Sequence, residues 1–211
     1  MNLTIEKSVI NEMPIAKFPG RIHLIDNAAD ALQAATFLSK QSMIGFDTET
    51  RPSFKKGDNH NVALIQLSTA DECFLFRINL FGLTQPLVNL LSSPDVIKIG
   101  LSTKDDFNGL NRLSQFHPGS VIELQHLVKK YGIAEMSLQK VYAIIFGEHI
   151  CKGQRLSNWE ARELSPYQQA YASLDAWACL RIYNTLTEGL FNPEESFGKD
   201  CTAEPTATPV K

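Results

Sequence analysis

The sequence predicts an α/β domain built on a mixed β-sheet flanked by helices, and three observations lead there. Residues 62–68 and 72–78 are rich in β-branched and aromatic side chains and flank Thr69-Ala70-Asp71, the pattern of an antiparallel hairpin. Residues 43–48 and 96–101 are near-continuous apolar runs, as in buried strands of a parallel sheet. Segments of helical period lie between the strands. A hairpin beside parallel-type strands, with helices interleaved, calls for one sheet covered on both faces.

Taken in order, residues 1–20 read as an extended leader and 21–26 as a short strand. Asn27 is placed to cap a helix whose apolar stripe is Ala28, Leu32, Ala35 and Leu38. After the strand at 43–48 comes a polar loop, 52–61, holding Lys55, Lys56 and Gly57. Beyond the hairpin, 84–92 reads as a helix, 96–101 as a strand, 103–114 as a helix and 120–123 as a strand. From there the pattern is helical almost to the end. The last long helix starts at Ser165-Pro166, an N-cap followed by proline in the first turn, and runs to about Gly189. Residues 191–211 hold three prolines and alternating Thr and Ala, and read as a disordered tail. The globular domain is thus expected at 21–190.

Composition narrows the class. With 44% hydrophobic and 20% charged residues, the 211-residue chain has the make-up of a globular protein with a sizeable core. Its amino terminus is charged where a signal peptide is apolar, and no stretch approaches the roughly 18 apolar residues of a membrane span. The expected location is cytoplasmic, with no membrane partner. Cys73, Cys151, Cys179 and Cys201 form no CxxC pair, and the five histidines show no ligand spacing, so structural zinc is disfavoured. A net charge of −3 supplies no basic field to attract a polyanion. It does not exclude nucleic acid as substrate, because bound divalent cations invert the sign of an acidic pocket.

Four acids stand out because their neighbours are apolar. Asp47 and Glu49 lie two apart in an extended run, so both project from one face, while Phe46 and Thr48 face the other way. In the last helix Tyr171, Leu174, Asp175, Ala178, Ile182 and Leu186 form one inward stripe, with Asp175 a turn from Tyr171. Of the adjacent pair Asp105 and Asp106, Asp106 shares its helix face with Leu110 and Leu113, and Asp105 shares its own with Gly109 and Arg112. That selects Asp106 as the inward acid and leaves Asp105 to the helix start, where negative charge suits the dipole. Carboxylates directed into a core are costly unless protonated, paired or bound to metal. Several that converge are the oxygen donors that two-metal phosphoryl chemistry uses. Each also has an ordinary reading, as a solvated strand end for Asp47 and Glu49 or a locally satisfied buried acid for Asp175. Trp159 and Trp177 read as packing residues.

Together these residues resemble the DEDD superfamily of 3′–5′ exonucleases, in the tyrosine-containing subgroup. Phe46-Asp47-Thr48-Glu49-Thr50 is similar to its first motif, 98–110 with Asp106 to its second, and Tyr171 to Asp175 to its third, Y-x-x-x-D. The run 152–159 followed by 164–169 is similar to the segment preceding that motif in ribonuclease D and the Werner-type exonuclease domain. The resemblance implies a ribonuclease H-like fold and removal of nucleoside 5′-monophosphates from a nucleic acid, DNA or RNA, with a free 3′ end. It implies that Asp47, Glu49 and Asp175 hold one divalent ion, Mg²⁺ with Mn²⁺ as substitute, that Asp47 shares a second, and that Asp106 acts through coordinated water. Tyr171 would orient the attacking water. Substrate contacts are expected at Thr48, Lys152 and Arg155, and at Lys55 and Lys56 in the loop beyond the first motif. Nothing after residue 190 matches the helical domains that follow the catalytic domain in ribonuclease D, so a stand-alone exonuclease domain is expected. The alternative is a non-catalytic nucleic-acid-binding relative, which would gain nothing from four carboxylates facing a polyanion.

Overall fold

The computed structural model describes residues 1–55 and 57–201. Lys56 and residues 202–211 of the expected tail lie outside the described residues. Along the chain run β1 (Leu3–Thr4), α1 (Lys7–Asn11), β2 (Arg21–Ile25), α2 (Ala28–Leu38), β3 (Met43–Thr50), β4 (Val62–Ser68), β5 (Glu72–Phe76), α3 (Ile78–Phe81) and α4 (Gln85–Ser92). They are followed by β6 (Ile97–Gly100), α5 (Thr103–Asn111), β7 (Val121–Glu123), α6 (Leu124–Leu127), α7 (Leu138–Phe146), α8 (Pro166–Thr187) and β8 (Lys199–Asp200).

The main sheet has six strands in the order β2-β5-β4-β3-β6-β7. β4 runs antiparallel to both β3 and β5, whereas β2–β5, β3–β6 and β6–β7 are parallel pairs. This is the mixed sheet expected. The hairpin turns at Thr69, whose hydroxyl accepts from the Glu72 backbone N–H (3.0 Å). β4 is buried along its whole length, as a central strand covered on both faces must be.

Each face of the sheet has its own core. On one side Ile44, Phe46, Ile65 and Leu67 pack with Ala31 and Leu38 of α2, Leu87 and Leu91 of α4, and Phe107 and Leu110 of α5. On the other, α7 and α8 bring Val141, Ile144, Leu174, Ala178 and Ile182 against Ile99. α8 crosses β3 so closely that a Cβ on Gly45 would overlap the Ala176 carbonyl, which is why that strand position takes glycine. No helix among the described residues is long and apolar enough to cross a membrane.

Several local expectations are corrected. Residues 1–20 are not an extended leader: they contain β1 and α1, and Leu3, Ile5, Ile10 and Ala16 are all at most 4% exposed. Their charges, Glu6 and Lys7, face outward, so the terminus reads as polar although its apolar half is buried in the α7–α8 core. Residues 191–201 are ordered rather than tail: β8 pairs antiparallel with β1, matching Leu3 to Asp200. The stripe of α2 is Ala31, Ala34, Ala35 and Leu38, with Leu32 51% exposed, because small residues let the helix lie close to the sheet. Helix α5 ends at Asn111, leaving Leu113 39% exposed. Residues 147–165 form turns rather than helix.

Candidate active site

Strand alternation sets the first two acids. Gly45, Asp47 and Glu49 point to the α8 face, opposite Ser68, Gln66 and Leu64 of β4. Phe46 and Thr48 point to the other face, where Phe46 stacks on Phe107 of α5 with ring centroids 4.7 Å apart. β6 pairs with β3 only through Gly45, so beyond that residue the sheet splits and Asp47 stands at an open end.

The third acid comes from α8, whose start is pinned by a reciprocal cap. Ser165 Oγ accepts from the Gln168 backbone N–H (3.2 Å), and Gln168 Oε1 accepts from the Ser165 N–H (3.0 Å). Pro166 occupies the first turn. From that fixed start Leu174, Asp175, Ala178, Ile182 and Leu186 of the expected stripe are buried and Tyr171 is half-buried, although Ala172, Ala176, Cys179 and Leu180 are buried as well, so the helix is enclosed on more than one side. Carboxylate oxygens of Asp47, Glu49 and Asp175 all lie within 4.8 Å of one another.

Asp106 arrives from α5, half-buried, while Asp105 is exposed in the same first turn. Its face is the one predicted, although only Leu110 of its two expected companions is buried. Asp106 does not join the cluster of three directly. It accepts a 2.5 Å hydrogen bond from Thr48 Oγ1 and interacts electrostatically with Asp47 and Glu49. The turn that launches α5 is unusual, because Ser102 adopts the left-handed region at φ 65°. Glu123, at the end of β7, holds it in place by accepting from the Ser102 N–H (3.0 Å), the Thr103 N–H (2.8 Å) and the Thr103 hydroxyl (2.9 Å). The sequence pattern does not reveal Glu123; it looks like another polar strand end, and only the neighbouring β6 gives it this partner set.

All four acids are pushed toward the protonated form. Burial raises Asp47 well above the usual carboxylate range, and the charges of Asp106, Asp175 and Glu49 add to it. Glu49 is pushed up to about 9 by burial and then by Asp175 and Asp106, against the Arg155 guanidinium. Burial takes Asp175 to about 7, opposed by the Tyr171 hydroxyl and by Lys152. Asp106 reaches about 7 for the same first reason, opposed by the Thr48 hydrogen bond. The Tyr171 hydroxyl, buried and facing Asp175 and Glu49, is raised far above its ordinary value. A pocket of hard oxygen donors this poorly solvated and this short of cations suits divalent metal.

The structure brings Lys152 and Arg155 of the 147–165 segment within electrostatic reach of Asp175 and Glu49 respectively. Gln168 ties that segment to α8, its Nε2 donating to Ser157 Oγ (3.0 Å) and the Asn158 carbonyl (3.2 Å). Thr48, expected to touch substrate, donates its hydroxyl hydrogen to Asp106. Lys55 is exposed and lines an open groove of ≈ 350 Å³ with Arg51, Phe54, His60 and Leu156, a lining that includes none of the four acids. Trp159 is fully buried, 6.1 Å from the Tyr171 ring, and Trp177 donates its indole N–H to the Ala70 carbonyl (3.0 Å), so both are packing residues.

Residues 22–190 match the family model for 3′–5′ exonuclease domains. The chain is 32% identical over 193 residues to the bifunctional 3′–5′ exonuclease/ATP-dependent helicase WRN of Mus musculus, covering 86% of this chain and 14% of that protein. It is 28% identical over 179 residues to ribonuclease D of Gluconacetobacter diazotrophicus, covering 83% and 44%. It therefore spans less than half the length of each of these relatives. In fold it is similar to the Nibbler EXO domain of Aedes aegypti (TM-score 0.72, 23% identity, 92% and 96% covered) and to RNase D of Escherichia coli (TM-score 0.72, 21% identity, 79% and 44% covered). Acid cluster, motif order and ribonuclease H-like fold agree: the chain belongs to the 3′–5′ exonuclease family.

Proposed function

We propose that this domain shortens nucleic acid from a free 3′ end by a two-metal mechanism, with Asp47, Glu49, Asp106 and Asp175 as the metal-site residues and Mg²⁺ as the working cation. The observation that carries the reading is the convergence of Asp47, Glu49 and Asp175 to within 4.8 Å in a buried pocket. Divalent cations held by these four acids would supply activation of water and stabilisation of charge on the leaving oxygen. Asp47 interacts electrostatically with Glu49, Asp175 and Asp106, which supports the reading that it would be the acid shared between two ions.

The chain's own groups do the rest. Tyr171, held neutral, keeps its proton and orients the attacking water as a hydrogen-bonding group rather than a base. Lys152 and Arg155 offset the phosphodiester charge beside the acids. Water oxygen bonds to phosphorus and gives up a proton to solvent, the bond from phosphorus to the 3′ oxygen breaks, and that oxygen takes up a proton from solvent. A nucleoside 5′-monophosphate leaves and a new 3′-hydroxyl end remains. The groove with Phe54, Arg51 and Lys55 offers an aromatic face and cations to an incoming single strand.

The test is incubation with 5′-labelled single strands of DNA and RNA in Mg²⁺, Mn²⁺ or EDTA. A ladder shortening from the 3′ end only with metal is expected. Internal cuts, or binding without turnover, would overturn the proposal.

A further inference from the structure

The neighbour of Asp47 across the sheet is Gln66, paired with it in register between β3 and β4. Directly opposed residues of an antiparallel pair share a face, with Cβ atoms about 4.5–5.5 Å apart. The Gln66 side chain is therefore on the α8 face beside the Asp47 carboxylate. It is 0% exposed, and neither its amide nitrogen nor its amide oxygen has a hydrogen-bond partner among the described residues.

Nothing about packing explains an amide here. The flanking residues Ala63, Leu64, Ile65 and Leu67 are apolar, and across the other strand boundary Gln66 meets Leu75, part of an apolar cluster with Leu64, Trp159 and Ala172. Of the other buried polar side chains nearby, Ser68 donates to the Thr69 carbonyl (2.8 Å) and Ser173 to the Ala170 carbonyl (3.0 Å). The Trp159 indole N–H also has no partner among the described residues, but its ring fills the apolar cluster, and only Gln66 lies in register with Asp47. An unpartnered buried amide destabilises a fold, and a leucine would fill the same space without that cost. A polar side chain retained in this place points to a partner acquired when the pocket is loaded.

We propose that Gln66 is a positioning residue for the metal site: its amide N–H donates to the Asp47 carboxylate and sets the orientation in which that carboxylate binds cation. On Asp47's other side β6 has already parted from β3, so no strand neighbour competes for the role. The amide acts as metal-binding residues' outer partners do elsewhere, fixing the ligand rather than touching the ion. This inference rests on the assignment of Asp47, Glu49 and Asp175 as a cation site.

The test compares full-length wild type with Gln66→Leu and Gln66→Met, after removal of metal with EDTA and dialysis. Mn²⁺ affinity is measured by titration calorimetry, the melting temperature in EDTA, and kcat and KM on one labelled oligonucleotide. For Gln66→Leu the Mn²⁺ Kd is expected to rise about 10–100-fold, while the metal-free melting temperature stays level or rises. kcat should fall with KM within about twofold. If Gln66→Leu shows no cooperative melt, Gln66→Met, similar in length, carries the comparison. Wild-type Mn²⁺ affinity in a folded variant overturns the role of Gln66 and leaves the acid site standing. A wild type that binds no Mn²⁺ overturns both.

Discussion

Thr48 and Asp106, 58 positions apart, are joined by a 2.5 Å hydrogen bond from hydroxyl to carboxylate, which fastens the strand of Asp47 and Glu49 to the helix that brings the fourth acid. Thr48 points away from the cluster formed by its two neighbours, and α5 covers the face it points to. The bond therefore reaches the site from behind, at the end where β6 and β3 separate. Such a bond to an ionised carboxylate favours the charged form.

Thr48→Val should lower kcat about 10- to 150-fold, in keeping with loss of one hydrogen bond to a charged group, roughly 1.5–3 kcal/mol. KM should barely change, and Thr48→Ser should stay close to wild type. Steady-state kinetics on a labelled oligonucleotide decide it. A raised KM with unchanged kcat would return Thr48 to the substrate contact expected from the motif.

Asp106→Ala should lose most activity, whereas Asp105→Ala should keep near-wild-type turnover. Asp105 is exposed in the first turn of α5, so its removal costs at most about 1 kcal/mol through the helix dipole. Rates and thermal melts of the two purified variants check this. The reverse ranking would show that the wrong acid was assigned.

Stability without metal should fall as pH rises. All four carboxyl groups have folded-state values above their unfolded ones, so between about pH 4 and 9 the folded chain binds more protons than the unfolded. Their contribution is complete below about pH 4. It is lost as pH climbs through the folded values near 7 for Asp106 and Asp175 and near 9 for Glu49. Melting temperature in EDTA should decline over that window, Asp175→Asn should flatten the decline, and Mn²⁺ should reverse it. A pH-independent melting temperature in EDTA would contradict the burial argument.

Lys55→Glu should weaken binding of a single strand more than it slows chemistry, because Lys55 lines a groove that none of the four acids lines. Phosphate contacts respond to salt, with a slope in log K of about −0.7 per contact on single strands. The salt dependence of Kd should therefore become shallower by about that much. Matching slopes for variant and wild type would leave the loop a solvated connection.

Periodicity makes much of this protein legible in its amino-acid sequence. Period two puts Asp47 and Glu49 on one face, and period 3.6 puts Tyr171 and Asp175 on the inward stripe of a helix whose start Ser165 and Pro166 mark. Those features are local, because backbone geometry alone dictates which side chains share a side. The same logic fails where packing overrides pattern. In α2 a stripe read from large residues gives way to Ala31, Ala34 and Ala35, and the charged amino terminus conceals Leu3, Ile5 and Ile10.

What the sequence by itself determined was therefore the mixed sheet, the identity of the acids and the faces they occupy. Only the tertiary structure decided that three carboxylates converge while Asp106 is held through Thr48. The same is true of Glu123 under the Ser102 turn and of Gln66 beside Asp47, with no partner among the described residues. The reason is physical: these relationships depend on register between strands distant in sequence and on where β6 parts from β3, and no single segment carries that information.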